Sequence, residues 1–196
     1  MQSKRVNLLQ RLLYRGPHTC PWWFGYTFDN PLRRLVHKPE EILGDFVGPG
    51  QTAVDIGCGL GYFSIALAKI VGPSGKVIAL DIQSQMIQRA KRRAENHGVA
   101  DRIDFRLCKT NHLGVEAPVD FVLAFWVVHE VTDPKNLLIE VRSFLGSRGH
   151  LLIAEPKGHV SVGRFDETVE LARNVGFQTS KGPMVRFSRS VVCSPS

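Results

Sequence analysis

The chain has 196 residues, 43% of them hydrophobic, which suffices for one domain with a full core. Its net charge of +7 sits at the ends: seven Lys/Arg against two Asp/Glu over residues 1–40, six against three over 157–196, and twelve against thirteen between them. No apolar run approaches a membrane span, the four cysteines form no CxxC pair, and no linker or repeat divides the chain; these features argue against a transmembrane helix, a disulfide framework, a metal site and a second domain. With no apolar leader core at the start, they predict a cytoplasmic protein with reduced thiols.

Residues 6–15 place Val6, Leu9, Leu12 and Leu13 on one helical face, with Arg11 and Arg15 off it. An aromatic cluster follows: Trp22, Trp23, Phe24, Tyr26 and Phe28. Residues 1–38 read as an N-terminal arm, and 39–196 as the main domain. There, helix 39–46 is broken by Gly48-Pro49-Gly50. Strand Thr52–Ile56 leads into a glycine loop, Gly57–Gly61, and helix 62–71. Strand Lys76–Leu80 ends at Asp81, and helix 84–97 stops at Gly98. Strands Arg102–Leu107 and Asp120–Phe125, helix 134–145, strand His150–Ala154 and helix 164–175 come next. Strands 178–187 and 189–194 predict an antiparallel hairpin. Alternation of helices with fully apolar strands predicts an α/β fold, doubly wound around a mostly parallel sheet. Ligands of such sheets bind beyond the carboxyl ends of the strands, where the glycine loop lies.

The loop reads Asp55-Ile56-Gly57-Cys58-Gly59-Leu60-Gly61, a GxGxG spacing rather than the GxGxxG of dinucleotide sites. A carboxylate at Asp55 repels a pyrophosphate but suits a ligand carrying an ammonium and a sulfonium, as S-adenosylmethionine (SAM) does. Asp81 lies 20 residues past Gly61, a spacing at which an acid accepts from two ribose hydroxyls. Its plainer role is a cap on the next helix.

These motifs, with DFVLAFWVVHEV around the fourth strand and LLIAEP at the fifth, resemble the class I SAM-dependent methyltransferases of small-molecule type over about residues 40–194. The resemblance implies a Rossmann-like sheet of seven strands with the last antiparallel, and SAM as cofactor. It implies that Gly57, Gly59 and Gly61, with Asp55 and Cys58 in the same loop, surround the methionine moiety. It further implies that Asp81 holds the ribose, Ile82 packs on adenine, Cys108 lies near adenine and Phe125 borders the site. Where the family often carries an acid for the adenine amino group, this chain has Lys109, which accepts no hydrogen bond; Thr110 or a backbone carbonyl is then left to do so.

Methyl transfer is an in-line displacement, so the enzyme chiefly aligns the reactants and excludes water. His129 is a candidate base or substrate-orienting group, against the plainer reading of a cap or core histidine. His159 and Lys157, on the loop after the fifth strand, are candidates for meeting an acidic substrate, against an exposed loop. Trp126 is a candidate substrate contact. Trp22, Trp23 and Tyr26 are candidates for a substrate lid, against packing on the back of the sheet. The expected partner is a small molecule. RNA methylation through the basic ends, arsenite or thiol methylation through Cys58 and Cys20, and a non-catalytic SAM-binding subunit are the alternatives.

Overall fold

The computed structural model describes residues 36–116 and 118–196. The amphipathic stretch 6–15 and the lid candidates Trp22, Trp23 and Tyr26 therefore lie outside the described residues.

The elements in chain order are α1 (Pro39–Leu43), β1 (Thr52–Ile56), α2 (Tyr62–Val71), β2 (Lys76–Asp81), α3 (Ser84–Asn96), β3 (Ile103–Leu107), β4 (Val119–Phe125), α4 (Pro134–Phe144), β5 (Leu145–Pro156), α5 (Val162–Asn174), β6 (Phe177–Lys181) and β7 (Ser188–Pro195). Short 3-10 turns occupy Ala100–Arg102 and Val128–Glu130. The helix starts follow local chemistry. Pro39 and Pro134 sit where a missing N–H costs nothing, and the side chains of Asp133 and Ser161 cap α4 and α5.

The seven strands form one sheet in the order β3-β2-β1-β4-β5-β7-β6. β1 pairs in parallel with both β2 and β4, so the strand order switches direction beside the carboxyl end of β1. β7 inserts antiparallel between β5 and β6. The buried central strands β1, β2, β4 and the second half of β5 thus form the parallel middle of the doubly wound sheet, with the more polar β3 at one edge and the β6–β7 hairpin at the other.

Two buried layers sandwich the sheet. Val54, Ile56, Val122, Leu151 and Ile153 pack toward α4 and α5, while Ala53, Phe121, Leu123 and Leu152 pack toward α1 and α2. The period-two alternation of strand side chains assigns each residue to its layer.

Three boundaries differ from the sequence-based expectation. α1 ends at Leu43, because the chain turns before Gly48. β5 begins at Leu145, directly after α4, and its pairing with β4 shifts register between Val119 and Phe121, which accommodates the Gly146–Gly149 insertion. β6 stops at Lys181: Gly182-Pro183 breaks the strand, and residues 182–187 form a loop at the carboxyl edge of β5. Among the described residues, no helix is long and apolar enough to cross a membrane.

Candidate cofactor and acceptor site

β1 delivers the chain into a loop in which Gly57, Gly59 and Gly61 all have positive φ (69°, 53° and 77°). The loop is tied to β2 on both sides. Cys58 N donates to Leu80 O at 2.9 Å, and Gly59 N donates to Asp81 Oδ2 at 2.9 Å. The other oxygen of Asp81 accepts from Gln83 N at 2.8 Å. Asp81 thus caps the approach to α3 and also braces the glycine loop. A carboxylate has about four acceptor positions, so it retains capacity for ligand hydroxyls. Burial pushes the Asp81 carboxyl above its ordinary value, while the N–H groups of Gln83, Gly59 and Ile82 pull it back.

A single cleft opens over this junction. It is lined by Gly57, Gly59, Asp81 and Ile82 on one side, Cys108, Lys109 and Thr110 on the second, and Trp126 and Val127 on the third. Seven of the expected cofactor residues therefore meet in one place, joined by Trp126, expected as a substrate contact. Gln83, Met86, Leu113, Glu130 and Thr132 also line it, and none of them carried a recognisable sequence signal.

Asp55, Cys58, Gly61 and Phe125 stand behind the lining. Asp55 is buried on the α2 side of β1 and accepts from Ser64 Oγ at 2.5 Å. Strand alternation accounts for this: Ile56 faces the cleft, so its neighbour faces the opposite layer. Burial, and then the charges of Asp55 and Asp81, push the Cys58 thiol well above its ordinary value. Burial likewise raises Cys108 to about 11. A Cβ on Gly61 would meet Ala90 Cβ at 3.1 Å, so this glycine seats α3 against the loop. Phe125 packs on Phe63 with ring centroids 4.4 Å apart.

Gly57 and Gly59 differ in what surrounds them. A Cβ on Gly57 would lie 2.6 Å from Val127 Cγ2, so the loop after β4 closes directly onto it. A Cβ on Gly59 would meet no protein atom within 4 Å, although this residue lines the cleft. The space above Gly59 is therefore open to a ligand that approaches the backbone closely.

The loop after β4 carries a second unusual conformation. Trp126 holds φ at 60°, a region costly for a bulky side chain, at about 1–3 kcal/mol. Its N–H donates to Ala154 O at 2.8 Å and its indole Nε1 to Ser188 Oγ at 2.8 Å, which over-determine the pose. Beyond it, Val128 N donates to Glu155 Oε1 at 3.0 Å, and His129 Nδ1 lies 2.5 Å from Glu155 Oε2. His129 sits at the margin of the cleft rather than in its lining. His159 is exposed, with its ring centroid 6.2 Å from that of His129. Lys157 is exposed, and its backbone N–H donates to Phe187 O at 2.8 Å.

Comparison with known proteins decides the family. The profile described as a methyltransferase domain matches residues 48–180. The chain belongs to the methyltransferase family. A ubiquinone/menaquinone biosynthesis C-methyltransferase from Hahella chejuensis is 32% identical over 154 residues, 78% of this chain and 55% of that protein. A tRNA 5-carboxymethoxyuridine methyltransferase from Escherichia coli is 34% identical over 123 residues, 61% of this chain and 46% of that protein. The chain thus spans about half the length of these curated relatives. A SAM-dependent methyltransferase from Aquifex aeolicus shares the fold, with a TM-score of 0.77, 23% identity, and coverage of 89% of this chain and 98% of that one. The cofactor of such methyltransferases is SAM, and the residues present fit it. An acceptor-only carboxylate suits ribose hydroxyls, and the open space over Gly59 suits a chain lying against the backbone.

Proposed function

We propose that this methyltransferase moves a methyl group from SAM to a small molecule at the carboxyl edge of the sheet. The observation that carries the reading is the meeting of the buried Asp81 carboxylate with the open space over Gly59 in one cleft. SAM supplies an electrophilic methyl group on a sulfonium. Asp81 binds the ribose, Ile82 and Met86 give adenine apolar contact, and Gly57 and Gly59 let the backbone approach the amino-acid end. Trp126 and Val127 exclude water at the far wall, where the acceptor would enter.

A small acceptor is favoured because Trp126, Val127 and Val131 give the wall after β4 apolar surface, with Glu130 and Thr132 as its few polar groups, the mix that suits a small-molecule site. The metalloid alternative needs several thiol ligands converging in one place; among the described residues Cys108 lines the cleft and Cys58 is buried behind it, while Cys20 lies outside the described residues. RNA is the second reading, favoured by the basic ends and by the tRNA-modifying relative. Calorimetry with SAM and its demethylated product, S-adenosylhomocysteine, tests the cofactor assignment. Turnover of tritiated SAM on metabolite and tRNA pools then separates the acceptor classes. Binding of neither adenosyl compound would refute the reading.

A further inference from the structure

Glu155 stands out among the buried groups that the cofactor site does not use. It is 1% exposed, at the end of a strand whose preceding residues, Leu151 to Ala154, are all buried and apolar. Burying a carboxylate is costly unless its oxygens are well partnered. Both are: Oε1 takes the N–H of Val128 at 3.0 Å, and Oε2 takes His129 Nδ1 at 2.5 Å. An ionised carboxylate only accepts hydrogen bonds, so Nδ1 holds the ring proton. In the neutral ring the lone pair is then on Nε2.

The surroundings of Nε2 give that lone pair a direction. Glu130 Oε1 is 4.0 Å away, too far for a hydrogen bond, and Glu130 itself lines the cofactor cleft. Further charged or titratable groups about the loop are His159, at 6.2 Å between ring centroids, Arg164, whose Nη2 donates to His129 O at 3.2 Å, His37, whose ring packs edge-on against Trp126, and Arg189, opposite Glu155 on β7, whose Nη1 donates to Val160 O. Arg164 fixes the backbone of His129 while leaving its ring nitrogens alone. The ring is thus anchored at Nδ1 and through its backbone, with Nε2 turned toward a residue of the cleft wall.

We propose that Glu155 is the positioning residue of a Glu155–His129 pair whose Nε2 accepts the acceptor's proton, and that the acceptor is a hydroxyl compound methylated on the oxygen that gives up this proton. A thiolate or an unprotonated amine would need no such group. This inference rests on the reading of the cleft as a methyl-donor site. In the step, the acceptor's O–H bond breaks and its proton goes to Nε2. The oxygen's electron pair forms the new O–CH3 bond, and the pair of the S–CH3 bond returns to sulfur. Positive charge leaves sulfur and appears on the imidazolium beside Glu155, so the net charge of the site is unchanged. Release of the proton to water resets the pair.

Glu155→Gln tests this while keeping the shape of the side chain. Val128 N–H still requires an oxygen, so the amide oxygen stays there and the amide nitrogen turns to Nδ1 as a donor. The ring proton is then driven to Nε2, the tautomer that cannot act as base; the equivalent carboxylate-to-amide change in the serine-protease triad gives the wrong tautomer in the same way. The full-length protein is labelled with 15N-histidine, and long-range 1H–15N correlation is recorded at alkaline pH, where the ring carries one proton. Loss of signals in His129→Ala assigns the ring. Nδ1–H is expected in the native protein and Nε2–H in Glu155→Gln. An Nε2–H ring in the native protein, or the same tautomer in both, would overturn the proposal. S-adenosylhomocysteine affinity should agree within about twofold between the two proteins. Failure of the native protein to bind it would refute the cofactor reading separately, leaving the tautomer result to stand alone. On a hydroxyl acceptor, Glu155→Gln should lose about a hundredfold in kcat with KM unchanged. An acceptor turned over equally by both proteins would also overturn it.

Discussion

Asp81 shows how one side chain combines structural and binding roles. It closes the glycine loop through Gly59 N and the start of α3 through Gln83 N, and still has acceptor capacity facing the cleft. Asp81→Ala should weaken SAM binding by about 2–4 kcal/mol, read by calorimetry on protein whose fold is checked by circular dichroism. Its raised pKa gives two pH effects of opposite sign. The folded protein binds this proton more readily than the unfolded chain, so stability from this group rises as pH falls into the window just above the ordinary carboxylate range and is lost as pH rises through it. Binding runs the other way, because ribose hydroxyls donate to the ionised form. SAM affinity should therefore fall across the same mildly acidic window, and Asp81→Asn should flatten that dependence in calorimetric titrations. Asp81 was legible in the sequence because its distance from the glycines follows from one helix crossing. Asp55 was read as facing the ligand because it precedes the glycines, but the facing direction of a strand residue depends on its layer. Its carboxylate meets Ser64 on α2 instead. Glu155 stands in the sequence only as part of the LLIAEP match, with no role of its own: it closes an apolar strand, and its partner His129 is 26 residues earlier on another loop.

At the scale of elements, the glycine loop and the loop after β4 are built to touch. Gly57 is the contact point, since any Cβ there would collide with Val127. Gly57→Ala should destabilise the fold by about 1–3 kcal/mol, and adding Val127→Ala should recover part of that loss in denaturant titrations. Full recovery is not expected, because a φ of 69° still disfavours alanine. Gly59 has no such neighbour, so Gly59→Val should cost binding far more than its φ of 53° costs stability. Retention of normal SAM affinity in Gly59→Val would remove this loop from the cofactor site. The order of helices and strands was readable from hydrophobic periodicity and glycine stops. The long β5 and the short β6 were not: the first depends on a register shift against β4, and the second on the Gly182-Pro183 break and the loop that follows it.

At the scale of the whole molecule, the sheet brings the ends of β1, β2 and β4 together, and the cofactor cleft lies where they meet. Basic residues flank this core in sequence on both sides, and an acidic or weakly acidic hydroxyl compound would be drawn to such a protein. The N-terminal aromatics Trp22, Trp23 and Tyr26 are proposed to cover the acceptor. Deleting residues 1–28 should leave a folded protein that binds SAM and turns over poorly; loss of folding would make the arm part of the core instead. The central claim is that this cleft is built for an adenosyl sulfonium and not for a dinucleotide. A thermal-shift comparison of SAM, S-adenosylhomocysteine, NAD and NADP at matched concentrations tests it most directly. A ligand at a hundredfold excess over its Kd adds about 2.7 kcal/mol, which raises Tm by about 5–10 °C in a domain of this size. Shifts of that order with the two adenosyl compounds and none with the nicotinamides are predicted, and a larger shift with NAD or NADP would contradict the account.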